Sequence, residues 1–281
     1  MFGAFNTFGK LGASVGGRSL ASQVTTLSPL SRPPGTTYKK RATGSSSGIA
    51  QIQSAGYTKD TATSSAFNTS NGVFKTSSAS SIQIIAHGDS ITDGSAASEG
   101  YVTRLVRSLY VASGIKADYK NRCIGGQGFT YVYNSSAYPN NLVDDAAAEV
   151  DAAMSGSLTN YLIVFAGTND YKLGAKTPAQ IRTAFQTYIA ARIAAGWTAS
   201  RICVCTMLPR ETVNETDRST INSNFTADAG TYGYTLAPLH LNASIGAAGQ
   251  QNNTTYFLDT IHPTDAGQAI IASIIKGVLF P

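Results

Sequence analysis

Charge is scarce in this chain. Asp, Glu, Lys and Arg make up 13% of 281 residues, against roughly a quarter in a typical globular domain. Acidic residues are missing altogether before Asp60, where Lys10, Arg18, Arg32, Lys39, Lys40, Arg41 and Lys59 stand alone. The remainder carries 14 basic against 16 acidic residues, so the net charge of +5 comes from the first segment. A near-neutral main domain argues against nucleic-acid binding. Cysteine is as sparse, with only Cys123, Cys203 and Cys205. The last two are two apart in an apolar run and share one strand face, which leaves them badly placed to bridge each other. No disulfide framework is expected. Three scattered histidines and no Cys/His cluster of zinc-ligand spacing leave no metal to expect. No run is long enough to span a membrane. Met1 to Lys10 lacks the early positive charge and continuous apolar core of a secretory signal. The expectation is a cytoplasmic or particle-associated protein rather than one exported by a signal peptide, with the compartment itself unassigned.

What is present divides the chain in two. Residues 1–79 are basic, contain the breaker Arg32-Pro33-Pro34-Gly35 and the linker-like Gly44-Ser45-Ser46-Ser47-Gly48, and show no strand–helix alternation. Five glycines in the first 17 residues disfavour an amphipathic helix there. This extension either packs on the main domain or serves as an attachment element, with Phe2, Phe5 and Phe8 as anchors for a protein partner.

Residues 80–281 alternate, and the 42% hydrophobic content of the whole chain is enough for a sizeable core. Ile82 to Ala86 reads as a buried strand ending in Gly88-Asp89-Ser90. Val102, Leu105, Val106 and Leu109 recur on one helix face. Tyr119 to Ile124 reads as a strand, Leu142 to Met154 as a helix, and Tyr161 to Ala166 as a central strand covered on both sides. Thr177, Pro178 and Gln180 announce a helix with a capping box, and Ile181, Phe185, Tyr188, Ile189 and Ile193 form its apolar face. Arg201 to Leu208 is a strand, Arg218 to Ala229 a weaker helix and Tyr234 to Leu239 the last strand. Thr264 or Asp265 caps a final helix with Ile270, Ile271, Ile274 and Ile275. Five strands alternating with helices predict an α/β fold with a five-stranded parallel sheet and helices on both faces.

Four stretches fall at strand ends, where open α/β sheets bind ligands. They are Gly88-Asp89-Ser90-Ile91-Thr92, Asn121 to Gly128, Gly167-Thr168-Asn169-Asp170 and Asp259-Thr260-Ile261-His262-Pro263. Gly-Asp-Ser alone is also ordinary turn chemistry. The glycines after Asn121 lack dinucleotide spacing and a ribose-binding acid, so no cofactor is expected. A serine needs a base to take its proton, and the base needs a partner to hold its tautomer. Asp259 and His262, three apart, can supply that pair. The anion formed by attack on an ester needs aimed donors, which the N–H groups of Ser90 and Gly126 and the amide of Asn169 can supply. Asp89 and Asp170 are read as turn-stabilising, Cys123 as packing, and His87 and His240 as structural strand residues. Asn-x-Ser/Thr matches such as Asn134 and Asn224 are read as chance.

Taken together, the four blocks resemble those of the SGNH (GDSL-type) hydrolases, over about Ser80 to Pro281. The resemblance implies a three-layer flavodoxin-like fold of strand order 2-1-3-4-5 and ester hydrolysis through an acyl-enzyme without a cofactor. It assigns Ser90 as nucleophile, His262 as base, Asp259 as its orienter, and Gly126 and Asn169 as oxyanion donors beside the Ser90 N–H. Gly125 adjoins Gly126 and competes for that role; Gly126 is preferred because it stands five after Asn121. Thr92 in place of a second glycine departs from the α/β-hydrolase elbow. The expected substrates are small acyl esters, acetylated carbohydrates first. The competing reading is a structural or attachment component of a phage-like particle whose hydrolase domain binds or trims glycans.

Overall fold

A computed structural model describes residues 81–94, 97, 99–113, 115, 117–133 and 140–281, with the backbone of three short strands before them. These are β1 (Thr37–Lys39), β2 (Thr58–Asp60) and β3 (Val73–Lys75), which pair antiparallel in the order β1-β3-β2. The rest of the expected extension, including Phe2, Phe5 and Phe8, lies outside the described residues, as does Asn134.

The main sheet consists of β4 (Ile82–Gly88), β5 (Ala117–Asn121), β6 (Thr159–Phe165), β7 (Ile202–Cys205) and β8 (Thr235–Ala237). All neighbours are parallel, in the order β5-β4-β6-β7-β8. This is the flavodoxin-like order that the resemblance implied. The chain reverses its winding direction at β4, so the crevice for a ligand opens beyond the carboxyl ends of β4 and β6.

Alternation along the strands builds two cores. Ile84, Ala86, Ile163, Phe165, Cys203 and Cys205 face one way, onto α2 (Tyr101–Ser113) and the carboxyl-terminal helix α7 (Asp265–Leu279). Ile85, Leu162, Val164, Ile202 and Val204 face the other, onto α5 (Pro178–Ala194) and α6 (Glu215–Tyr232). Cys203 and Cys205 share a face as expected, and all three cysteines are buried. The α5 capping box forms between Thr177 and Gln180, and Thr264 rather than Asp265 caps α7 through the Gly267 N–H.

Several boundaries differ from the sequence reading. Strand β5 stops at Asn121 because its side chain accepts the Cys123 N–H and turns the chain, although Arg122 and Ile124 still donate to the Ala86 and Gly88 carbonyls of β4. The helix from Leu142 is α-helical only through Ala146 (α3) and continues as a π-turn, Ala147–Asp151. Helix α6 begins earlier than expected, because Asn214 caps it by accepting from the Thr216 and Asp217 N–H groups. His240 lies in the short 3-10 turn Leu239–Leu241, with Nδ1 beside the Thr206 hydroxyl at 3.0 Å.

His87, in contrast, is a strand residue of the second core. It is 1% exposed, and its Nδ1 lies 2.8 Å from the Tyr188 hydroxyl. Burial, with help from the charges of Arg192 and Arg122, pushes its pKa down from 6.5 to about 3. The unfolded chain therefore binds a proton that the folded chain refuses, and stability falls as pH drops from 6.5 toward 3. Each pH unit in that window costs about 1.4 kcal/mol. Urea unfolding of wild type and His87→Gln at neutral pH and near pH 4 checks this. Wild type is expected to lose about 3 kcal/mol more than the variant between the two conditions, and equal losses would refute the role.

Candidate active site

Ser90 opens the four-residue helix α1 (Ser90–Asp93) directly beyond β4. Asp89 caps that turn, its Oδ1 accepting the Ile91 N–H at 2.9 Å. Only glycine fits at position 88, since a Cβ there would come within 2.3 Å of the Phe165 carbonyl oxygen. This tight exit from the buried strand projects Ser90 into the crevice.

Three side chains meet there across the whole domain. Ser90 Oγ lies 2.8 Å from His262 Nε2, and His262 Nδ1 lies 2.7 Å from Asp259 Oδ2. A carboxylate only accepts, so Nδ1 carries the imidazole proton and leaves the Nε2 lone pair facing the serine hydroxyl. Asp259 Oδ1 also accepts the backbone N–H groups of Ile261 and His262, at 3.2 and 2.8 Å. Burial raises the Asp259 carboxyl, but the hydrogen bonds from the His262 ring and backbone outweigh it and hold it below the usual carboxylate range. The loop is closed by Leu258 N–H to His262 carbonyl and Thr264 N–H to Tyr256 carbonyl, both 2.9 Å.

The other predicted residues line the opposite side. Asn169 lies on α4 (Thr168–Lys172) after β6 and is 5% exposed. Its Nδ2 donates to the Gln127 carbonyl at 3.1 Å and to Asp89 Oδ2 at 3.3 Å. The amide therefore spans the Ser90 turn and the Gly125–Gly126 turn. Gly126 has φ +83°, and a Cβ on it would meet the Tyr133 ring at 2.6 Å; a Cβ on Gly125 would stand 3.8 Å from Ser90 Cβ. Gly126 is thus the residue whose backbone demands glycine, and Gly125 the one that faces the serine.

The remaining acids serve the scaffold. Asp170 is fully buried and accepts the N–H groups of Phe129, Thr130 and Tyr131 at 2.6, 2.8 and 3.1 Å, clamping the second block onto the third. Asp89, 1% exposed, has its pKa raised to about 6 by burial, against the opposing pull of the Ile91 N–H and the charges of His262 and Arg210. Cys123 is buried, its Sγ 3.5 Å from the Ala86 carbonyl, and packs as expected. Among the described residues no group of three His, Cys, Asp or Glu is placed to hold a metal ion, and no helix is long and apolar enough to cross a membrane.

Arg210, beyond the end of β7, was not singled out by sequence. Its NH1 lies 3.3 Å from both Thr168 Oγ1 and Asn169 Oδ1. An arginine after Pro209 at a strand end is the only sequence signal that marks it.

The family model for GDSL-like lipases and acylhydrolases matches residues 86–270, spanning all four blocks. The chain belongs to the GDSL-like lipase/acylhydrolase family. No curated protein matches it significantly. Among solved structures, this GDSL-like hydrolase is similar in fold to a protein of Parabacteroides merdae described as a GDSL-like lipase. That pair has a TM-score of 0.56 at 15% identity, covering 71% of this chain and 96% of the other. The acetylxylan esterase Axe2 of Geobacillus stearothermophilus gives 0.52 at 16%, covering 72% and 95%. A member of the lipolytic G-D-S-L family from Veillonella parvula gives 0.52 at 15%, covering 70% and 97%. At these identities the likeness speaks to the fold, and family membership makes the chain an ester hydrolase.

Proposed function

We propose that this hydrolase is a serine esterase that removes small acyl groups, acetyl first, from carbohydrate esters. The observation that carries the mechanism is the unbroken relay from Ser90 Oγ through His262 to Asp259, at 2.8 and 2.7 Å. As Ser90 Oγ attacks the ester carbonyl, His262 Nε2 takes its proton, and Asp259 stabilises the imidazolium that results. The carbonyl oxygen becomes an anion facing the Ser90 N–H, the Gly126 N–H and the Asn169 amide. His262 returns the proton to the leaving alcohol, which departs and leaves an acyl-enzyme. A water molecule, deprotonated by the same nitrogen, then releases the acid and regenerates Ser90. In the free protein both N–H groups of Asn169 have acceptors, and the 3.3 Å bond to Asp89 is the longer one, which the oxyanion would share.

The acyl and acceptor preference rests on the acetylxylan esterase among the fold neighbours and on family analogy. A panel of acetylated xylo-oligosaccharides and p-nitrophenyl esters of increasing chain length tests it. The acetyl esters are expected to show the highest kcat/KM, falling by roughly tenfold or more by the octanoate as added methylenes find no pocket. A rate that rises with acyl length would overturn the small-acyl preference.

A further inference from the structure

Arg210 is one of four buried arginines among the described residues, and it differs from the other three. Arg122, Arg192 and Arg218 each have a carboxylate within ion-pair distance, Glu149, Asp151 and Glu215, at 3.7, 3.0 and 2.6 Å. Arg210 is 7% exposed, and no carboxylate among the described residues lies within that distance. Its only hydrogen-bond acceptors there are Thr168 Oγ1 and Asn169 Oδ1, both reached by NH1, while its buried Nε has no partner. Asp89, Glu211 and Asp259 act on its charge only from beyond that distance, and burying a cation with no direct ion pair costs stability.

The loop that carries it is also held under strain. Thr212 has φ +58° and Thr260 φ +63°, the left-handed region that non-glycine residues seldom occupy. The two positions adjoin one contact, in which the Glu211 N–H donates to the Thr260 carbonyl at 3.3 Å. The Arg210 loop is thus docked on the Asp259–His262 loop at one point and reaches Asn169 at the next. Strain of this kind persists where surrounding structure enforces it, and it clusters at functional sites.

We infer that Arg210 is a positioning residue for ester hydrolysis, acting through Asn169. Its guanidinium holds the amide oxygen of Asn169 and so turns Nδ2 toward the Ser90 and Gly126 turns. A flipped amide would set its oxygen against the Gln127 carbonyl and the Asp89 carboxylate, both acceptors, and would lose the Arg210 bond as well. The positive charge on the oxygen side also polarises the amide, which makes its N–H groups stronger donors when negative charge develops on the substrate. The bond is present before substrate arrives, so its benefit falls on the chemical step more than on binding. This role rests on the serine-esterase reading above.

A double-mutant cycle on acetyl-ester hydrolysis, with fluorophosphonate labelling of the serine run in parallel, tests it. Arg210→Met is expected to lower kcat by roughly 10–10^2-fold, as a displaced donor would, with KM nearly unchanged. Asn169→Ala is expected to lower kcat by roughly 10^2–10^3-fold. Added to the Asn169→Ala variant, Arg210→Met should then change almost nothing, because the group it positions is gone. Arg210→Lys keeps a cationic donor and should recover part of the loss; it also serves if the methionine variant does not fold. Multiplying losses in the double variant, an unchanged kcat in Arg210→Met, or a change confined to KM would each overturn the positioning role. Failure of wild type to label at Ser90 would instead sink the serine-esterase reading and this role with it. Labelling with multiplying losses removes the positioning role alone.

Discussion

Ser90→Ala is expected to lower kcat by roughly 10^4–10^6-fold while leaving the fold intact. The loss is large because it removes the oxygen that lies 2.8 Å from the His262 imidazole nitrogen. The fold should survive because what holds the turn belongs to its neighbours. Gly88 permits the close approach to Phe165, and Asp89 caps α1 by accepting the Ile91 N–H. Alanine also suits the first turn of a helix. Hydrolysis of p-nitrophenyl acetate, followed beside a thermal melt, makes the measurement. A variant as fast as wild type would show that the acyl group never passes through Ser90.

Asp259→Asn should cost about 10^4 in kcat by a different route. The asparagine can keep its Oδ1 on the Ile261 and His262 N–H groups, so the loop should retain its shape. Its Nδ2, however, would present a donor where Asp259 Oδ2 now accepts from His262 Nδ1. The imidazole then moves its proton to Nε2, and that nitrogen no longer accepts from Ser90. Base and nucleophile remain in place with the proton on the wrong atom. Equal kcat in Asp259→Asn and wild type would mean that the carboxylate does not set the tautomer. A lowered melting temperature with kcat intact would assign Asp259 to the loop alone.

Much of the architecture was legible in the residues because the signals are local. The capping box at Thr177 and Gln180, the apolar face of α2 and the alternation of Cys203 with Val204 depend on neighbours a few positions away. The approach of Ser90, Asp259 and His262 was legible from the order of their motifs, although only Ser90 directly follows a strand, β4; Asp259 and His262 lie on the loop before α7, well past the end of β8 and not at a strand end as expected. Gly126 was preferred over Gly125 only on its spacing from Asn121, because two glycines carry no side chain to tell them apart; in the structure their backbones differ, with φ +83° at Gly126. The early start of α6 was missed because Asn214 caps ahead of a polar first turn that lacks apolar periodicity. Arg210 was invisible for a deeper reason. Its meaning lies in where three loops converge, and nothing in Leu208-Pro209-Arg210 encodes Asn169.

The relay has one more consequence, which concerns time rather than geometry. Ser90 and His262 are separated by 172 residues, and the base lies just before the last helix of the domain. A chain emerging from the ribosome exposes the serine 172 residues before the imidazole. On the serine-esterase reading, over that interval the serine is an ordinary alcohol, unable to react with esters around it. On the same reading, reactivity switches on when residues 259–262 dock against Ser90. Catalytic competence would then report that the Asp259–His262 loop has docked.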